Sequence, residues 1–214
     1  MRQMELCEAQ VGWRANAGRK PSPDSGEPHL TRAEVNPRHP LHITDRVRGD
    51  VPNLRQAEYR AAYFKVFREA KEEFGCRLIE FSVMSNHFHY IVEAGDKADL
   101  TRFMIGLKVR LAKAINKVAG RVGSVFADRY HRVDLTSMRQ TWIALRYVLC
   151  NASKHGIRYA GRLDFFSSAR WFDGWLDLKT PLESNPPVAE PRTYWLRSWM
   201  KHLGRIDPGS YRRN

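Results

Sequence analysis

The chain has 214 residues, with 36 Lys and Arg against 23 Asp and Glu, a formal charge of +13 and an isoelectric point near 10.0. With 43% hydrophobic residues it can bury a core, and no run approaches the ~18 apolar residues of a membrane span, so wholly disordered and transmembrane classes are excluded. Cys7, Cys76 and Cys150 lie far apart with no CxxC pair, which excludes a disulfide framework and a thiolate zinc site.

Met1–Glu8 carries Glu5 and Glu8 and no following apolar run, so no secretory signal is expected and a cytoplasmic, reducing setting fits. Residues 1–37 read as a flexible tail, since Pro21–Pro28 is rich in turn formers and lacks an apolar period. Leu41, Ile43 and Val47 alternate with polar residues, which predicts a strand in which Asp45 is the exception. From Leu54 to Phe74 the residues Tyr59, Tyr63, Phe67, Ala70 and Phe74 fall at helical spacing, with Gly75 as the stop. Arg77–Glu93 reads as an antiparallel hairpin, two β-forming runs either side of Met84-Ser85-Asn86.

Leu100, Phe103, Met104, Leu107, Leu111, Ala114, Ile115 and Val118 form the cleanest amphipathic stripe, and Gly120 ends that helix. A further strand is expected within Val125–Leu135. Ser137 and Gln140 have capping-box spacing, opening a third helix to about Lys154, with Gly156 as its stop. Pro181–Asn214 reads as an irregular appendage with one short helix. The order predicts an α+β protein of ferredoxin-like plan, β-α-β-β-α-β, with an antiparallel sheet, helices on one face and an extra C-terminal helix. The expected division is a tail over 1–37, one domain over 38–160 and the appendage over 161–214.

Charge is concentrated. Arg102–Arg158 holds 12 Lys and Arg and 2 Asp and Glu, a net +10, whereas the rest of the chain nets +3. Such a cluster attracts a polyanion, most commonly a phosphate backbone, although a solvated helix face would carry the same residues. The candidate DNA contacts are Arg102, Arg110, Lys113, Lys117, Arg121, Arg129, Arg132, Arg146 and Lys154. Tyr130 is a candidate for base stacking; Trp142, on a helix, is expected to pack.

Two constellations could carry chemistry. His87 and His89 are two apart on a strand, so both imidazoles share a face and can share a metal, while Phe88 packs on the other side. A lone pair of this kind also occurs as a hydrogen-bonded structural pair. Tyr147 and Asn151 are one helical turn apart. Tyrosine becomes a useful nucleophile when a cation polarises its electrophile, and an Asn oxygen suits a hard divalent ion. Packing alone would also explain a helical Tyr. His87, His89 and Glu93 have the spacing of a cupin metal site, but Phe81 stands where that motif wants Gly, and the helical content opposes a jelly roll.

The stretch Val83-Met84-Ser85-Asn86-His87-Phe88-His89-Tyr90-Ile91-Val92-Glu93 resembles the HUH motif of single-tyrosine transposases. It is most similar to the REP-associated tyrosine transposases, relatives of the small insertion-sequence transposases. The resemblance continues through Gly123–Tyr130, Arg146–Gly156 and Phe166–Ala169 and, more loosely, Pro191–Arg197, covering about residues 39–205. Ser85 stands where the family often has Pro, and Ala152 where it often has Pro after Asn. The resemblance implies that His87, His89 and Asn151 bind Mg²⁺ or Mn²⁺ and that Tyr147, on the extra catalytic helix, attacks a phosphate of single-stranded DNA. A 5′-phosphotyrosine intermediate, a free 3′-OH and strand transfer without ATP would follow. The implied partner is single-stranded DNA or a DNA hairpin of REP-like type. The protein is expected to be nucleoid-associated, a monomer or homodimer, with no membrane partner. The alternative is a non-catalytic single-stranded nucleic-acid-binding protein of the same fold.

Overall fold

The computed structural model describes residues 31–157, 163–178, 180 and 185–209. The turn-rich Pro21–Pro28 stretch and Arg158 lie outside the described residues. The elements are β1 (Leu41–Arg46), α1 (Ala57–Ala70), β2 (Glu72–Glu73), β3 (Cys76–Val83), β4 (His87–Glu93), α2 (Lys97–Ala119), β5 (His131–Asp134), α3 (Met138–Leu149), α4 (Asn151–Lys154) and α5 (Tyr194–Leu203), with a 3-10 turn at Ser168–Trp171. The strands form one antiparallel sheet in the order β2-β3-β4-β1-β5. This is the expected ferredoxin-like order with one short strand added at an edge.

Strand alternation sorts side chains onto two faces. Leu41 and Ile43 of β1 and Phe88, Tyr90 and Val92 of β4 turn to α1 and α2, where Tyr63, Phe67, Phe103 and Leu107 complete the main core. Each such side chain, fully buried, contributes about 1.5–3 kcal/mol. The opposite face carries Ile79 and Ile91 under Leu145, Val148 and Leu149 of α3. The stretch that reads as an irregular appendage supplies Trp175, Leu196, Trp199 and Ile206 to this second core. Thus α1 and α2 cover one face, and the extra helix α3, with α5, covers the other.

Three boundaries differ from the sequence reading. The first helix ends at Ala70, not at Gly75, because residues 72–73 pair with β3. Phe74 and Gly75, at φ 49 and 71, form the two-residue turn of that hairpin, and Phe74 is 50% exposed instead of lying on the buried stripe. A Cβ on Gly75 would sit 2.6 Å from Asp99 Oδ2. Only His131–Asp134 of the expected Val125–Leu135 strand pairs along β1; Phe126 makes a single bridge to Val47. The third helix breaks at Cys150, so Asn151 opens a separate short turn, α4. At its start Ser137 Oγ accepts the Gln140 N–H as expected, whereas the Gln140 side chain reaches back to Thr136 instead of Ser137. Gly120 ends α2 in the left-handed conformation as expected.

Candidate active site

The site lies where β4 and β1 meet the inner side of α3. Thr44 of β1 is registered opposite His89 and Arg46 opposite His87, so alternation puts His42, Thr44, His87 and His89 on the α3 face. Phe88 points away and is fully buried in the main core. His89 is 3% exposed. Its Nε2 lies 3.0 Å from Nε2 of His87. The far nitrogen of each ring is held: His87 Nδ1 is 2.8 Å from Asn86 Oδ1, and His89 Nδ1 is 3.1 Å from both His42 Nε2 and Thr44 Oγ1.

Burial brings the His87 imidazole down to about 4, with Arg46 and His155 adding to the effect. Burial likewise brings His42 down to about 4, with His131 adding. His89 is driven lower still by burial, reinforced by His42, His87, His155 and Lys154. All three rings are therefore neutral at pH 7. Asn86 Oδ1 can only accept, which puts the His87 proton on Nδ1 and leaves its Nε2 as a lone pair. With the His89 proton also on Nδ1, two lone pairs face each other at 3.0 Å with no proton between them. Such a pair could hold a cation, since the separation suits two adjacent ligands of a six-coordinate ion with bonds of about 2.1 Å.

Tyr147 of α3 stands against this pair. Its ring centroid is 5.2 Å from that of His89 and 5.8 Å from that of His42, both in edge-on contact. Lys154 Nζ lies 4.2 Å above the Tyr147 ring. Asn151 is fully buried, and both its amide oxygen and nitrogen are buried with no hydrogen-bond partner. An unsatisfied buried amide costs about 1–3 kcal/mol, so this one fits a role toward a ligand. Among the described residues no group of three His, Cys, Asp or Glu side chains is gathered for a metal; two imidazoles and an amide oxygen would make a different, harder donor set. The cupin alternative fails on geometry. Glu93 accepts the backbone N–H groups of Arg192 and Thr193 ahead of α5, at 2.7–3.0 Å, and does not join the histidines.

The basic residues do not form one surface with this site. Arg102, Arg110, Lys113 and Lys117 belong to α2, across the sheet from His87 and His89. Arg110 forks over Glu73, Arg121 pairs with Asp50, Arg102 with Asp99, and Arg132 with Asp134. Lys113 and Lys117 are exposed, and Arg129 is half-buried. Tyr130 is buried under Arg32, whose guanidinium lies 3.9 Å above the ring, so its ring face is taken. Trp142 packs against the second core beneath Arg146, which lies 4.9 Å over its ring. Among the basic candidates, Lys154 is placed directly on Tyr147. Sequence reasoning missed His42 and Thr44, which read only as the polar half of an alternating strand. The register with β4 that gives them a partner has no local signal.

Among the described residues no helix is long and apolar enough to cross a membrane. No curated protein matches the chain. Among solved structures, a REP-associated tyrosine transposase bound to a REP hairpin is similar at 16% identity and a TM-score of 0.48, over 66% of this chain and 82% of that one. A protein of Deinococcus radiodurans R1 described as a transposase is similar at 15% identity and a TM-score of 0.38, over 56% and 92%. The model of the IS200-like transposase family matches residues 42–149, from His42 on β1 through both histidines of β4 to the end of the helix that carries Tyr147. That span is just over half of the sequence, and the chain belongs to the IS200-like transposase family.

Proposed function

We propose that this protein cleaves and rejoins single-stranded DNA, with Tyr147 as the nucleophile. The observation that carries the reading is the pair of inward-facing Nε2 atoms of His87 and His89, 3.0 Å apart, with the Tyr147 ring against His89. The Tyr147 oxygen would bond to phosphorus as the bond to the 3′ oxygen breaks. The phenolic proton is lost, and the departing 3′ oxygen takes up a proton to become a hydroxyl. The 5′ phosphate remains on Tyr147, and attack by another 3′-OH reverses the step and joins strands. Lys154 sets positive charge beside the Tyr147 ring, which favours negative charge developing on its oxygen.

His87, His89 and the amide oxygen of Asn151 would hold Mg²⁺ or Mn²⁺. Such an ion supplies positive charge to the scissile phosphate. His42, Thr44 and Asn86 orient the histidines, and burial keeps both rings neutral. A hairpin-bearing single strand is the substrate expected of this site.

The test is covalent trapping. Incubation with a hairpin-bearing oligonucleotide and Mn²⁺ should give a denaturation-resistant protein–DNA adduct. Tyr147→Phe removes one hydroxyl and should abolish the adduct while leaving DNA binding intact. An adduct that persists in Tyr147→Phe refutes the assignment. DNA binding with no adduct from the unaltered protein would favour a non-catalytic binder.

A further inference from the structure

We propose that His42, together with Thr44, is a positioning residue that fixes the His89 proton on Nδ1 and so turns the His89 Nε2 lone pair toward His87. The inference deepens the metal-assisted reading above and rests on it for its consequence, though not for its geometry. His42 Nε2 and Thr44 Oγ1 both lie 3.1 Å from His89 Nδ1. A neutral imidazole has one N–H and one lone pair, and the partner at one nitrogen decides what the other presents. Thr44 Oγ1 can accept the N–H. His42 Nε2 can also accept it when His42 carries its own proton on Nδ1. When both act as acceptors they converge on a single proton, and His89 is then biased against the tautomer that would place a proton between the two histidines.

The His42 ring has a second contact. It lies tilted against His89 at a centroid distance of 5.2 Å and edge-on to Tyr147 at 5.8 Å. One side chain on β1 thus touches a histidine of β4 and the tyrosine of α3. Moving it would disturb the relation between the two groups that must meet at one phosphate. Hydrogen-bond partners behind a metal-binding histidine commonly change metal affinity by about 10–100-fold when removed. The duplicated acceptor makes the expected pattern specific. Either single removal leaves one acceptor, and only the double removal frees the His89 tautomer.

The experiment uses the full chain with His42→Leu, Thr44→Val, the double variant and His42→Gln, whose amide oxygen can reach the place of the imidazole Nε2. Nitrogen-15 correlation spectra of metal-free, histidine-labelled protein read the tautomer, and His89→Gln identifies the His89 signal. Titration with Mn²⁺ reads affinity, and circular dichroism confirms that each variant is folded. The expected result is a His89 proton on Nδ1 in the unaltered protein and mixed tautomers in the double variant. Its Mn²⁺ dissociation constant should rise about 10–100-fold. The single variants should lose less, and His42→Gln should stay close to the unaltered value. A His89 proton on Nε2, or unchanged Mn²⁺ affinity in a folded double variant, overturns the proposal. If the unaltered protein takes up no Mn²⁺, the metal reading fails, while the tautomer spectra still decide the role of His42.

Discussion

Replacing Glu80 by Gln should make the protein more stable at alkaline pH and remove a pH dependence that the fold builds in. Glu80 is buried on β3, opposite Ile91, with Ser168 packed against it. Phe81 N–H donates to Ser168 Oγ at 2.8 Å, and the same hydroxyl lies 3.1 Å from Phe81 O and in contact with Glu80 Oε2. A hydroxyl has one proton and cannot serve both oxygens. A protonated Glu80 resolves this: it donates to Ser168 Oγ, which donates to Phe81 O. Burial raises the Glu80 carboxyl from 4.5 to about 8, against an opposing hydrogen bond from Ser168 and with Asp173 and Glu190 adding to the rise. Between those values the folded chain keeps a proton that the unfolded chain has released. Stability therefore falls as pH rises, by about 1.4 kcal/mol per pH unit.

The buried histidines act in the opposite sense, but only below about pH 6.5, where the unfolded rings charge. The clean window is pH 6.5 to 8. Across it the stability of Glu80→Gln relative to the unaltered protein should grow by about 2 kcal/mol, near 4–8 °C in Tm for a chain of this size. Urea unfolding at the two pH values measures it. A difference that stays constant from pH 6.5 to 8 would refute the reasoning, because Glu80 would then be ionised at both.

Three further outcomes are expected. His89→Ala should abolish adduct formation and Mn²⁺ uptake together; full activity in excess chelator would remove the metal role. Asp164→Asn should cost about 3–5 kcal/mol, because it strips the carboxylate from a buried pair whose Arg55 and Asp164 side chains are 9% and 1% exposed. A loss below about 1 kcal/mol would class that pair with surface bridges. Lys113→Gln combined with Lys117→Gln should leave the salt dependence of single-strand binding unchanged, since α2 lies across the sheet from the histidines. A slope flattened by about one to two units, at ~0.7 per phosphate, would show that the strand also contacts α2.

The parts of the molecule with a local cause were legible in the sequence. Alternation gave β1 and the β3–β4 hairpin, and the apolar stripe with its glycine stop gave α2. The spacing of His87 and His89 put both rings on one face because a strand has a period of two, whatever surrounds it. The spacing of Tyr147 and Asn151 was equally plain, yet only the structure shows that the helix breaks at Cys150 between them. Other features depended on what lies across the fold. Glu72–Glu73 continues a helical pattern and becomes a strand because β3 offers it hydrogen bonds. The net charge of Arg102–Arg158 was countable, but the fold divides it between two faces and pairs Arg110 and Arg121 with Glu73 and Asp50 from far along the chain. His42 is the sharpest case. Its place in the chain marks it only as the outward half of an alternating strand, and its chemistry arises because antiparallel register sets β1 beside His89 while α3 closes over both. A sequence fixes which way a side chain leaves its own backbone; which group it meets is decided by the packing of elements far apart in the chain.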